Sequence, residues 1–174
     1  MIARFVEEET VELSDEELKA ALDALCDGDG VTRHAAREKL EKVGVAVVPF
    51  LVTALQSSNE HCRWEAAKAL SNIGDPSTAP ALVRALDDNK AAVRWLAGEA
   101  LINLGRDALA PLLQGLEGSS DSIWFRDGAH HVLRSLVREG VAEEAIPVLE
   151  ALENLEPRIE APIAAYHVLQ ELDR

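Results

Sequence analysis

The chain repeats one helical pattern four times. An arginine recurs at intervals of 30, 31 and 32 residues, at Arg33, Arg63, Arg94 and Arg126. Each arginine is followed by alanine after three residues, leucine after seven and another aliphatic residue after ten, as in Ala97, Leu101 and Leu104. These offsets lie along one side of an α-helix. A repeat of this length predicts a solenoid, in which each unit buries its apolar face only against its neighbours.

A second helix is predicted in every unit. Glycine follows the apolar stripe in the first three units, at Gly44, Gly74 and Gly105, and glycine in this position ends helices. The next segment carries proline near its beginning, where a backbone amide would have no acceptor within the helix. It finishes on a leucine that recurs with the same register, at Leu55, Leu86, Leu116 and Leu152. The repeated unit is therefore a pair of helices joined by a turn.

The phrases VRWLAGEALINLG at 93–105 and GDPSTAPALVRAL at 74–86 resemble the short HEAT-like repeats that also occur in phycobilisome lyases. The resemblance covers roughly residues 15–174. It implies an all-α fold, a right-handed α-solenoid of about ten helices, with the second helices along its concave side.

The repeat register divides the chain into an N-terminal arm at 1–13 and one repeat domain at 14–174. Within the domain we predict a half unit at 14–30, whole units at 31–58, 59–88, 89–119 and 120–155, and a half unit at 156–174. Ser14 and Glu17 form the pattern of a capping box, which begins the first helix. The arm is expected to cover the first helix pair, to be disordered, or to dock on another molecule.

Two departures from the pattern occur near the C-terminus. In the fourth unit Val137 replaces the glycine that ends the first helix, and Gly140 follows three residues later, so this helix is expected to be longer by about a turn. In the last half unit Pro162 replaces the arginine, although Ala165, Leu169 and Leu172 keep the apolar offsets. We therefore expect the chain to end with half a unit.

The net charge of −14 is concentrated at the two ends. Residues 1–30 hold ten acids and two bases, residues 141–174 hold eight acids and two bases, and the segment between them is neutral. Terminal solenoid units need polar outer faces, which accounts for this distribution, and attraction of a basic partner is the alternative. The acidity argues against a partner that is nucleic acid or an anionic membrane.

No pattern of catalysis or metal binding stands out. Cys26 and Cys62 are too few for a disulfide framework, so reduced thiols and a cytoplasmic location are expected. The five histidines lack metal-ligand spacing, and none is followed by glutamate as in the metal hydroxylase built on similar repeats. Phosphate-binding and nucleophile motifs are absent as well. We expect no catalytic residue, no metal and no cofactor.

The repeat also predicts which residues are structural and which face a partner. Arg33, Arg63, Arg94 and Arg126 are expected to form a structural row, paired with helix-terminal carbonyls or with turn acids such as Asp75 and Asp107. Trp64 and Trp95 each follow an arginine, and they either pack between units or anchor a partner. The predicted binding groove comprises positions on the second helices, with the two tryptophans at its edge: Phe50, Thr53, Ala81, Arg84, Gln114, Glu150, Trp64 and Trp95.

An invariant core beside a variable groove favours a non-catalytic scaffold or adaptor that binds a protein or peptide segment, with the chain itself a monomer or a weak homodimer. The alternative is a lyase-like protein or chaperone for tetrapyrrole-bearing proteins, which rests on the family resemblance alone. A DNA-repair glycosylase on similar repeats needs a basic groove, and the acidic composition argues against it.

Overall fold

The computed structural model describes residues 12–119 and 121–172. This part of the chain contains ten α-helices and no strand, and short 3-10 turns precede α3, α5, α7 and α9. The helices are α1 Asp15–Ala24, α2 Gly30–Val43, α3 Val48–Ala54, α4 Glu60–Ile73, α5 Ala79–Ala85, α6 Ala91–Leu104, α7 Leu109–Ser119, α8 Ile123–Arg138, α9 Ile146–Glu153 and α10 Pro157–Leu172.

The helices stack as an α-solenoid. The first helices α2, α4, α6 and α8 form one row in which each packs on the next, and each second helix packs on the first helix of the following unit. The leucine seven residues after each arginine is completely buried in all four units: Leu40, Leu70, Leu101 and Leu133. The predicted fold class is confirmed, because each apolar stripe is covered by a neighbouring unit.

Glycine ends the first helices as the sequence predicts. Gly44, Gly74 and Gly105 have φ angles of 73°, 69° and 62°, a region that favours glycine because it has no Cβ. In the fourth unit Gly140 takes this role with φ 70°. As a result α8 has 16 residues where α2 has 14, an extension of about half a turn rather than the full turn predicted.

The N-terminal helix begins at the predicted capping box. The Ser14 hydroxyl accepts a hydrogen bond from the Glu17 amide at 3.3 Å, and a Glu17 carboxylate oxygen accepts from the Ser14 amide at 3.0 Å. This bond to the Ser14 amide is the main cause of the lowered pKa of Glu17. Of the predicted arm, residues 1–11 lie outside the described residues.

The last helix lies where the repeat does not predict it. Instead of extending the row of first helices beyond α8, α10 packs along the second helices α7 and α9. Its buried positions are Ala161, Ala165 and Val168. Because two of these are alanines, the backbone of α10 approaches its neighbours closely. The final half unit thus packs against second helices rather than against α8.

Among the helices at 12–119 and 121–172, none has the length and apolarity needed to cross a membrane.

Candidate functional site

Three arginines of the row, Arg33, Arg63 and Arg94, bind the turn that precedes the helix on which they lie. Nη1 of Arg33, Arg63 and Arg94 donates to the carbonyl of the residue six positions earlier, at 2.8, 2.8 and 2.7 Å. That carbonyl always lies two residues after the final leucine of the preceding helix. A guanidinium placed there satisfies an oxygen that the helix end leaves without a partner.

Arg63 makes the most extensive set of these contacts. Its Nε and Nη2 donate to the two carboxylate oxygens of Asp88 at 2.6 and 3.0 Å, and Nη2 also donates to Asn89 Oδ1 at 2.9 Å. The hydrogen bond to Asp88 is the main cause of the raised pKa of Arg63. The acid that pairs with Arg63 is thus Asp88, whereas Asp75 accepts from the amide of Ser77 in its own turn.

A second charged group lies between α2 and α4. Glu65, only 4% exposed, accepts from Nε of Arg37 at 2.9 Å and lies 3.6 Å from Nε of Arg33. Arg37 also donates to Glu41 at 2.7 Å and contacts Nδ1 of His34 at 2.6 Å. Buried charges need such pairing, so this group joins the first two units.

Trp64 lines a cavity of about 370 Å³ above this charged group, together with His61 and Arg33. One unit further along, Trp95 is 58% exposed, and its ring lies 5.1 Å from the ring of His131 on α8. His131 in turn contacts the carboxylate of Glu99 at 3.1 Å. Trp64 is therefore partly enclosed between units, whereas Trp95 offers an open aromatic surface.

The remaining groove residues do not line one continuous groove. Ala81 and Arg84 line a cleft of about 350 Å³ between α3 and α5. Phe50, on α3, is 46% exposed. Thr53 is exposed on the same helix, and its hydroxyl donates to the carbonyl of Pro49 at 3.0 Å.

Glu150 lies elsewhere, in a cavity of about 450 Å³ between α9 and α10. Gln114 is exposed on α7, the helix against which α10 packs. The unexpected position of α10 is the physical reason for this separation, because α10 lies against both α7 and α9. The repeat spacing in the sequence does not predict this position of α10.

The two cysteines form a disulfide that links the N-terminal half unit to the second whole unit. Cys26 lies in the turn after α1 and Cys62 near the start of α4, with their Cα atoms 4.3 Å apart. The side chain of Asn59 supports this junction by donating to the carbonyl of Cys26 at 2.9 Å. The expectation of reduced thiols is wrong, and the predicted cytoplasmic location loses that support.

Histidines form pairs with acids rather than clusters. His130 contacts Glu153 at 3.0 Å and His131 contacts Glu99 at 3.1 Å. Within residues 12–119 and 121–172, no three side chains of His, Cys, Asp or Glu come together as metal ligands.

Comparison with known proteins agrees with this architecture. The family model for HEAT repeats matches residues 16–102. The chain belongs to the HEAT-repeat family. No curated protein gives a match to the sequence of this HEAT-repeat protein.

Among solved structures, the protein is similar to a chain in the complex of CpcE and CpcF of phycocyanin lyase from Nostoc sp. PCC7120. The two chains are 22% identical with a TM-score of 0.52, and the match covers 98% of this chain and 70% of the other. At this identity the likeness establishes the shared fold.

Proposed function

We propose that this HEAT-repeat protein is a non-catalytic interaction module that binds a segment of a partner protein across the cleft between α3 and α5. The observation that carries the proposal is the chemistry of the cleft. Its apolar wall comprises Val52, Leu55, Ala81 and Ala85, and its polar rim includes Gln56, Arg84 and Asp87. An apolar centre within a polar rim is the usual anatomy of a protein interface.

Phe50 and Arg84 are the proposed anchors. Aromatic and arginine side chains dominate the binding energy of many interfaces because they bury a large area and make directional hydrogen bonds. Phe50 already exposes 46% of its surface, so a partner gains apolar contact there without any rearrangement of the core. Arg84 is exposed and is available to a carbonyl or carboxylate of the partner.

Charge favours a partner with basic character. The chain carries a net charge of −14, and the acids are concentrated toward its ends. Such a field accelerates association with a basic protein and opposes association with a second copy of the chain. We therefore propose a monomer that meets a basic partner.

The test begins with affinity capture from native lysate by the wild-type protein and identification of the bound protein by mass spectrometry. The purified partner is then titrated calorimetrically against wild type and Phe50→Ala/Arg84→Ala. We expect the double variant to bind at least about tenfold more weakly, the loss typical of anchor residues. Circular dichroism checks that helix content is unchanged.

The matched control is Val45→Ala/Arg134→Ala, which also removes one exposed apolar side chain and one exposed cation. This control is expected to bind like wild type. Equal affinity of the Phe50/Arg84 variant and wild type removes the cleft from the proposal.

A second candidate is a lyase-like or chaperone function toward tetrapyrrole-bearing proteins. The likeness to a phycocyanin lyase chain over 98% of this protein favours it. This candidate predicts that the purified protein binds a bilin and alters its visible absorption spectrum. An unchanged spectrum at saturating protein eliminates it.

A further inference from the structure

The last helix is apolar on two opposite faces. One face, Ala161, Ala165 and Val168, is buried against the domain. The opposite face carries Ile159, Ile163 and Tyr166, whose surfaces are 54%, 54% and 51% exposed. Their spacing of four and three residues places all three on one stripe of the helix. A surface helix that only closes a domain is apolar on one face, so this second stripe needs another explanation.

The first helix shows what a closing helix looks like in this protein. Its outward positions include Glu16, Lys19 and Asp23, all polar and exposed. Among its described residues, α1 leaves no large apolar side chain exposed. The outward side of α1 is therefore polar, whereas the outward side of α10 carries an apolar stripe.

Acidic side chains line a cavity beside this stripe. Ile163 also lines the cavity between α9 and α10, whose walls carry four glutamates: Glu144, Glu150, Glu160 and Glu171. Glu144 is paired with Arg106 at 2.6 Å, and Glu160 accepts from the side-chain amide of Asn154 at 2.5 Å. Among the described residues that line the cavity, His167 alone can carry a positive charge. The apolar stripe therefore borders a region of negative charge.

This charge selects the kind of partner. Two copies of the chain joined through α10 would bring together segments that each carry eight acids and two bases between residues 141 and 174. Such like-charge juxtaposition opposes a homodimer. A partner helix with an apolar stripe flanked by lysine or arginine complements both the apolar stripe of α10 and the acidic cavity beside it.

We propose that the exposed stripe of α10 and the adjoining acidic cavity form a second docking surface, which takes an amphipathic helix of another protein with basic flanks. Ile159, Ile163 and Tyr166 receive the apolar side of that helix. Glu150 and Glu171 receive its cations. This surface is separate from the cleft between α3 and α5. The two surfaces can therefore be occupied by one partner or by two different partners.

The proposal is tested with a synthetic helical peptide of leucine and lysine, with the leucines on one face, by fluorescence anisotropy. We expect the peptide to bind wild type. We expect it to bind Ile163→Ser/Tyr166→Ser at least about tenfold more weakly. Glu150→Gln/Glu171→Gln is expected to weaken binding and to reduce its salt dependence. Because all four side chains are at least partly exposed on the surface, the fold is expected to persist, and circular dichroism verifies it.

Two controls define specificity. Val45→Ser removes an exposed apolar side chain, 60% of whose surface is exposed, away from α10, and it is expected to bind the peptide like wild type. A peptide with glutamate in place of lysine is expected not to bind. Equal binding to all variants, or equal binding of the glutamate peptide, overturns the proposal. A dimer in sedimentation equilibrium that Ile163→Ser/Tyr166→Ser dissociates overturns it too, because the occupant is then a second copy.

Discussion

At the scale of single residues, Arg63 joins three segments of the chain. It binds the carbonyl of Ser57 in one turn and the side chains of Asp88 and Asn89 in the next. The side chains of Arg63 and Asp88 are 10% and 9% exposed. Removing one member of a buried pair leaves the other charge without compensation, which costs more than the pair contributes.

We therefore expect Asp88→Ala to lower the free energy of unfolding by about 3 kcal/mol. This loss lies at the lower end of the range for breaking a buried ion pair, because the backbone carbonyl and the side-chain amide oxygen that accept from Arg63 remain. Urea unfolding followed by circular dichroism measures the change. Glu60→Gln, which breaks the exposed pair with Lys90, serves as the control and is expected to have a small effect. Similar losses in both variants contradict the special role of the buried pair.

Single residues also show which contacts the repeat pattern predicts and which it does not. The arginine row, the buried leucines and the glycine helix ends all follow from periodicity, because the residues responsible recur from unit to unit in the sequence. Asp88 does not, since the residue 25 positions after Arg33 or Arg94 is a serine. An interaction present in one unit leaves no periodic signal, and its partner is found only when the units are placed beside one another.

At the scale of elements, the disulfide joins the turn after α1 to α4 across a separation of 36 residues. Cross-linking a loop of this length stabilises a protein by about 2–4 kcal/mol, mainly by restricting the unfolded chain. Reductant is expected to lower the urea midpoint of wild type to that of Cys26→Ala/Cys62→Ala. The double variant itself is expected not to respond to reductant. A wild-type midpoint that reductant leaves unchanged contradicts this prediction.

The repeat register does not predict the pairing of Cys26 and Cys62, because one follows the final leucine of a second helix and the other precedes the arginine of a first helix. The small number of cysteines argues for reduced thiols. The disulfide instead depends on the distance between the two Cα atoms, which is 4.3 Å in the folded chain. The position of α10 has a similar origin. Its apolar offsets are those of a first helix, but two apolar faces permit two ways of packing, and only tertiary contact with α7 selects one.

At the scale of the whole molecule, contacts between neighbouring units determine how the chain opens. In a solenoid, stability is nearly a sum over units and their interfaces, so the ends open more readily than the centre. Here the two ends are secured differently: the disulfide holds α1 and α2 to α4, whereas α10 is held by packing on α7 and α9. The redox state therefore affects one end alone.

Hydrogen exchange with mass spectrometry tests this difference directly. We expect the slowest exchange in α4 and α6, which carry the fully buried Leu70 and Leu101 and pack on neighbours on both sides. Reductant is expected to accelerate exchange in α1 and α2 and to leave α8 to α10 unchanged, because no contact of the C-terminal helices depends on the disulfide. Cys26→Ala/Cys62→Ala is expected to show the faster N-terminal exchange with or without reductant. Acceleration of equal size along the whole chain would mean that the molecule opens as one cooperative unit, since a change at one end would then be transmitted through every interface to the other.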